Sequence, residues 1–293
     1  MTRNEWIQWA TKKLMESAIE TARLDAEVLL AHVLHIERIQ LHIYPEKEVD
    51  QDLGEQYKVL ISRRQQQCPV AYLMGEQEFM GLPFQVTPDV LIPRPDTETL
   101  VEAVLQWVKE CRSEEEELLM ADIGTGSGAI AVSLAYYATA IQILATDLSP
   151  EALAVAKSNA VRNGVSDRIR FYAGDLLEPL QHQTASLDAL ISNPPYITED
   201  EMKTLPVSVG EYEPSLALEG GKDGLDNYRR MLREGMCLLK PGALVAFEMG
   251  WQQGRMLKAL MEAAGLENLR ILQDLTGLDR VVMGFKKNWQ SQD

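Results

Sequence analysis

The sequence is poor in cysteine, in histidine and in positive charge. Its three cysteines, Cys68, Cys111 and Cys237, are odd in number, far apart and in no Cys-x-x-Cys pattern. They suit neither a disulfide frame nor a zinc site, and are expected as reduced thiols of a cytoplasmic protein. The four histidines, His32, His35, His42 and His182, form no cluster with metal-ligand spacing. His32 and His35 share a helix face but have no carboxylate or thiolate beside them, so no metal is expected. Lys plus Arg number 28 against 44 Asp plus Glu, a formal charge of −16. Such a chain exerts no overall pull on a phosphate backbone, so no direct nucleic-acid partner is expected and a basic protein is the easier fit. No apolar run approaches the roughly 18 residues of a membrane span. Met1–Trp6 lacks the apolar core of a secretory leader, so neither membrane nor export is expected.

What is present fills about two domains. Residues 1–75 read as helical throughout. Thr2 and Glu5 fit a capping box before Trp6, Ile7, Ala10 and Leu14. Thr21 is expected to cap a second helix with Leu24, Val28 and Leu29 on its inner face. Asp50 is expected to open a third, carrying Leu53, Tyr57, Leu60 and Ile61. Residues 76–95 read as a hairpin followed by a linker stiffened by Pro88, Pro93 and Pro95. From residue 96 to 293 a second domain is expected, its first helix capped by Asp96 or Thr97. Glu114–Glu117 is a solvated charge run. Strands at 118–123, 141–146, 169–172, 187–192 and 243–248 alternate with helices at 130–137, 150–162 and 225–239, the pattern of a covered parallel sheet. Segments 269–275 and 280–285 are joined by four residues, too few for a parallel crossover, so that pair is antiparallel.

Between the first strand and its helix stands Asp122-Ile123-Gly124-Thr125-Gly126-Ser127-Gly128. Glycines at a strand-to-helix turn let backbone approach a ligand at the helix N-terminus. The spacing also meets a relaxed dinucleotide fingerprint, so a nicotinamide or flavin site stays open at this point. Asp147 ends the second strand, where a carboxylate accepts from ribose hydroxyls of either cofactor class. Asp175, after the third strand, suits an adenine amino group or a turn cap. The deciding motif is Asn193-Pro194-Pro195-Tyr196 at the end of the fourth strand. Consecutive prolines cannot continue a ladder and make a rigid turn. That turn presents the Asn193 side chain, the Pro194 carbonyl and the Tyr196 ring: two acceptors and an aromatic face for a planar NH2 group. Acceptors for both hydrogens hold a poorly nucleophilic nitrogen in line with an electrophilic methyl.

The glycine loop together with Asn193-Pro194-Pro195-Tyr196 resembles an S-adenosylmethionine-dependent amino-methyltransferase. Ile92-Pro93-Arg94-Pro95-Asp96-Thr97-Glu98 and Glu213-Pro214-Ser215-Leu216-Ala217-Leu218, with Gly220–Leu225 and Tyr228-Arg229, narrow the resemblance to the HemK/PrmC family. That resemblance implies an α/β fold: a Rossmann-like class I methyltransferase core, mostly parallel and seven-stranded with an antiparallel C-terminal strand, plus a small N-terminal helical bundle that recognises substrate. It implies transfer of a methyl group to the glutamine of the Gly-Gly-Gln motif in class-one peptide chain release factors, with S-adenosyl-L-methionine as cofactor. Gly124, Thr125, Gly126, Ser127 and Gly128 would hold the amino-acid end of the cofactor. Asp147 would bind its ribose, and Asp175 and Leu176 would border its adenine, with Asn193 also lining the cofactor. Asn193 and Pro194 would accept from the substrate NH2, with Tyr196 on the amide plane and Pro195 completing the turn. Two other readings compete: a nucleic-acid adenine-N6 methyltransferase with the same tetrapeptide, disfavoured by the charge, and a non-catalytic cofactor-binding adaptor.

Overall fold

The structure, a computed structural model, describes residues 1–111 and 117–287. Of the acidic run at Glu114–Glu117, all but Glu117 lies outside the described residues. The chain divides into two compact units.

The smaller unit comprises Met1–Glu76 and Pro206–Tyr212. Its helices are α1 (Arg3–Glu16), α2 (Ala22–Leu34), α3 (Ile39–Ile43), α4 (Gln51–Gln65) and α5 (Val70–Met74). Thr2 and Glu5 exchange both bonds of the capping box at the start of α1, and Asp50 accepts the Asp52 N–H at the start of α4. Thr21 differs from expectation, since its side chain caps nothing. The buried stripe of α2 runs through Ala22, Ala26, Leu29, Leu30 and Val33, while Leu24 is exposed. Leu29 and Val33 lie on this stripe as the sequence predicts, but Leu24 does not, and the small Ala22 and Ala26 line the stripe in its place. Tyr57 is fully buried against Trp6 and Trp9 and donates to the Ala26 carbonyl at 2.8 Å. Gly54 lies under the Trp6 ring, where a Cβ would come within 2.7 Å of an indole carbon.

The larger unit begins at Gln77, within the hairpin of β1 (Glu76–Phe79) and β2 (Leu82–Gln85), which is followed by α6 (Pro95–Cys111). The hairpin is not a free-standing linker. Phe79 and Phe84 are buried in the core of this unit, and the turn is tied at Met80, whose N–H donates to Glu98 at 2.7 Å. Helix α6 starts at Pro95, ahead of both expected caps. Proline's fixed φ suits the first helical position, so Asp96 and Thr97 fall inside the first turn with their side chains free for other partners.

Then follow β3 (Leu118–Ile123), α7 (Ala129–Tyr137), β4 (Ile141–Asp147), α8 (Pro150–Arg162), β5 (Ile169–Ala173) and β6 (Leu187–Ser192). The chain continues through α9 (Asp226–Gly235), β7 (Leu239–Glu248), α10 (Gly254–Ala263), β8 (Leu266–Gln273) and β9 (Asp279–Lys286). Seven strands form one sheet in the order β5-β4-β3-β6-β7-β9-β8. The first five run parallel, and β9 is antiparallel to both β7 and β8. Period-two alternation splits the core between the two faces: Met120, Ile143, Ala189 and Ile191 point to one, and Ala121, Ile123, Leu190 and Phe247 to the other. Strand β3 has β4 on one side and β6 on the other, so the chain reverses direction there. A crevice at the carboxyl ends of these strands follows from that reversal. Among the described residues no helix is long and apolar enough to cross a membrane.

Candidate active site

The glycine loop leaves β3 with Gly124, Gly126 and Gly128 at φ +72°, +54° and +80°. Other residues strain there. A Cβ on Gly124 or Gly126 would meet nothing within 4 Å, whereas on Gly128 it would press on Ala156 at 3.2 Å. The first two glycines therefore serve backbone conformation at an open crevice, and the third serves the packing of α7 on α8. Asn159, fully buried on α8, anchors the loop by donating to the Ser127 carbonyl at 2.8 Å while accepting the Gln85 N–H at 2.7 Å. Sequence reading missed Asn159; a polar residue at a buried position of an amphipathic helix was the available signal.

Asp147 stands beside the loop. Its Oδ2 accepts the Gly126 N–H at 2.8 Å and its Oδ1 the Ser149 N–H at 2.9 Å. Burial pushes this carboxyl up, against the pull of those backbone donors. Asp122 lies beneath, fully buried, accepting the Thr125 hydroxyl at 2.6 Å. Burial lifts it to about 7, opposed by Thr125 and the Ala131 N–H. The segment after β5 joins the same edge, because the Gly174 N–H donates to the Asp147 carbonyl at 3.0 Å. Leu176, at φ +48°, is held by the Thr146 hydroxyl on its carbonyl at 2.9 Å. Asp175 has a partner that sequence reading did not foresee: Arg230 of α9 takes its Oδ2 at 2.7 Å.

At the end of β6 the turn is held by its backbone. Asn227 donates to the Pro195 carbonyl and Gln253 to the Tyr196 carbonyl, each at 3.0 Å. Among the described residues the Pro194 carbonyl accepts no hydrogen bond. The half-buried Asn193 donates through Nδ2 to the Thr97 hydroxyl at 3.3 Å, leaving Oδ1 free. Gly220 and Gly224 press on this turn so closely that a Cβ would come within 2.6 Å and 2.2 Å of Tyr196 backbone atoms. That contact explains why glycines stand at 220 and 224. Burial pushes the Tyr196 phenol up to about 12, so it stays neutral. Glu248, ending β7, is buried and lifted to about 7 by that burial, opposed by Thr97, Arg280 and Asn193. Arg280 pairs with Asp96 and Asp274, each at 3.0 Å. Arg94 pairs with the buried Glu213, which also takes the Ile92 N–H. The two family-like stretches thus meet each other and the turn.

The loop, Asp147 and the 174–176 segment share one edge of the sheet with the turn; the carboxyl ends of β5, β4, β3 and β6 are consecutive there. The structure brings every expected site residue to that edge. An open glycine cradle beside a ribose-type carboxylate, next to two free acceptors, fits a nucleoside cofactor and a planar NH2 substrate.

Comparison with known proteins agrees. Residues 5–75 match the PrmC N-terminal domain and residues 102–208 the methyltransferase small domain. The release factor glutamine methyltransferase of Moorella thermoacetica is 43% identical over 288 residues, covering 98% of this chain and 99% of that one. Its counterpart in Bacillus subtilis is 39% identical over 280 residues, covering 95% and 96%. A methyltransferase structure from Pyrococcus furiosus superposes with a TM-score of 0.51 at 18% identity, over 80% of this chain and 98% of that one, which speaks for the fold alone. Similarity of this extent, running through both units, means that the chain belongs to the release factor glutamine methyltransferase family.

Proposed function

We propose that the enzyme transfers a methyl group from S-adenosyl-L-methionine to the side-chain amide nitrogen, N5, of the glutamine in the Gly-Gly-Gln motif of class-one peptide chain release factors. The carrying observation is the pair of free acceptors, Asn193 Oδ1 and the Pro194 carbonyl, on a turn whose next two carbonyls are already engaged. The cofactor supplies an electrophilic methyl on a sulfonium. Gly124, Thr125, Gly126, Ser127 and Gly128 would hold its amino-acid end above Asp122, and Asp147 would take the ribose hydroxyls on its remaining lone pairs. Leu176 would flank the adenine, with Asp175 offering Oδ1 while Arg230 holds Oδ2.

Asn193 and Pro194 would each accept one hydrogen of the substrate NH2, and Tyr196 would pack on the amide plane, with Pro195 keeping the turn rigid. Fixed acceptors favour the positive charge that develops on nitrogen as it attacks. The N–C bond forms as the S–C bond breaks, and the nitrogen then loses a proton to water, so no side-chain base is required. A glutamine offers few atoms for recognition. We assign the recognition of the wider protein surface to the helical unit, residues 1–75, which carries no catalytic set of its own. A basic protein surface rather than nucleic acid suits the charge of −16. A cytoplasmic location accompanies this reading, in line with the free thiols of Cys68 and Cys237.

Incubation with tritiated S-adenosylmethionine and either release factor, DNA or RNA tests the assignment. Label in release factor alone is expected. Label in nucleic acid would transfer the site to an adenine amine, and no label in any arm would leave an adaptor.

A further inference from the structure

The acceptor role of Asn193 depends on which end of its amide faces the substrate. Turned by half a rotation, the amide would point its own NH2 at the substrate NH2 and repel it. The turn itself does not decide this, because prolines fix backbone and not the side-chain flip. Buried neighbours do. Thr97 is 5% exposed and Glu248 is 2% exposed. Strands β6 and β7 pair in register as far as Ser192 and Phe247, which sets Asn193 and Glu248 at the next position on adjacent strands. The Thr97 hydroxyl lies 3.3 Å from Asn193 Nδ2, and Thr97 and Asn193 both act on the Glu248 carboxyl, holding it below where burial alone would put it. Glu248 Oε2 is buried without a hydrogen-bond partner among the described residues. A hydroxyl has a single proton to donate. If the carboxylate takes it, the Thr97 oxygen can only accept, and the group that Asn193 turns toward it must be the NH2. Oδ1 is then left facing outward.

We propose that Thr97 and Glu248 are positioning residues that set the Asn193 amide with Oδ1 toward the substrate nitrogen, through a one-way chain from Asn193 Nδ2–H to Thr97 Oγ1–H to the Glu248 carboxylate. This rests on the methyl-transfer reading above. It also gives Thr97, within the Arg94–Glu98 stretch, a task in the chemistry.

The chain has a direction that protonation reverses. A protonated Glu248 donates to Thr97, Thr97 then donates to Asn193, and the amide turns its oxygen inward. The charged and titratable groups around Glu248 come from four elements. Arg280 of β9 favours the carboxylate and Asp96 of α6 opposes it. The Tyr196 phenol and Tyr228 of α9 complete the surround, Tyr228 donating to the Glu248 backbone carbonyl at 2.7 Å. With Glu248 lifted to about 7, kcat at saturating substrates falls as pH drops through neutrality.

The test uses the full chain with Thr97→Val, Thr97→Ser and Glu248→Gln. Thr97→Val lowers kcat at least about tenfold, the scale of one oriented hydrogen bond, with S-adenosylmethionine affinity and release-factor KM within about twofold. Thr97→Ser, which keeps the hydroxyl, recovers most of that rate. Glu248→Gln lowers kcat and removes the acid limb of its pH profile. In parallel, the Asn193 side-chain NH2 signal is followed by NMR against the Glu248 carboxyl carbon signal. Both move with one midpoint in the native protein, and the Asn193 signal stops moving in Glu248→Gln. A native kcat in Thr97→Val, or an Asn193 signal indifferent to Glu248 ionisation, overturns the proposal. If the native enzyme methylates no release factor, the functional reading fails instead, and the NMR arm alone judges the chain. It also decides should Thr97→Val fail to fold.

Discussion

The Gly126 N–H donates to Asp147 Oδ2 at 2.8 Å, so the carboxylate at the end of β4 also braces the loop at the end of β3. In the proposed role of ribose acceptor, Asp147 would then contribute twice to cofactor binding, by contact and by shaping the neighbouring cradle. Asp147→Ala therefore weakens S-adenosylmethionine by roughly 1.5–3 kcal/mol, the range for a hydrogen-bonding partner that carries charge. Calorimetry on the folded variant reads this directly, and unchanged affinity would remove Asp147 from the site.

In the proposed reaction Asn193 acts on the attacking nitrogen and not on the cofactor's polar groups. Asn193→Ala lowers kcat by about 10² or more and leaves cofactor affinity within a few-fold. Steady-state kinetics and calorimetry on one preparation separate the two effects. Near-native turnover would exclude the acceptor role.

Stability has a pH signature set by buried acids. Burial lifts Asp122 and Glu248 to about 7, so the folded chain keeps protons there that the unfolded chain releases near pH 4. A raised carboxyl pKa stabilises the fold below the unfolded value, and that contribution is lost as pH rises toward the folded one. Melting temperature therefore falls between about pH 4 and pH 7 through these groups. Asp122→Asn and Glu248→Gln flatten the slope in scanning calorimetry, whereas the general self-repulsion of an acidic chain does not respond to either change. Slopes unaltered in both variants would refute the assignment.

Much of this was legible because it was contiguous. The capping box of α1, the span of α8 from Pro150, the glycine loop and the proline turn all lie in short stretches whose local chemistry decides their form. What was missed depends on distance along the chain. Thr97 meets Asn193 across 96 positions, and Arg280 of the last strand meets Asp96 at the start of α6, contacts that no local pattern encodes. Helix α10 went unread because it opens at Gly254 after Gly250-Trp251-Gln252-Gln253, a stretch that looks like loop. Its buried Leu257 and Met261 are a single i, i+4 pair. Strand β7 begins four residues early, at Leu239, because a register shift between Leu187 and Ala189 absorbs Pro241 and Gly242. Without the partner strand those two residues read as a break.

Charge makes a kinetic prediction. A chain of −16 attracts a basic partner, so kcat/KM on release factor falls as salt rises, through screening, while kcat changes little. A salt series at fixed cofactor checks it. A flat kcat/KM would mean that recognition by this acidic chain owes nothing to long-range charge.

The central claim is that two acceptors on a rigid turn present one glutamine amide nitrogen for methylation. Fragment mass spectrometry of release factor after incubation with enzyme and S-adenosylmethionine tests it at the atom concerned. The account predicts the mass of one methyl group on the glutamine of Gly-Gly-Gln, formed about 10²-fold more slowly by Asn193→Ala and absent when that glutamine is replaced by glutamate. A methyl group on any other residue, or the same modification formed at the native rate by Asn193→Ala, would contradict it.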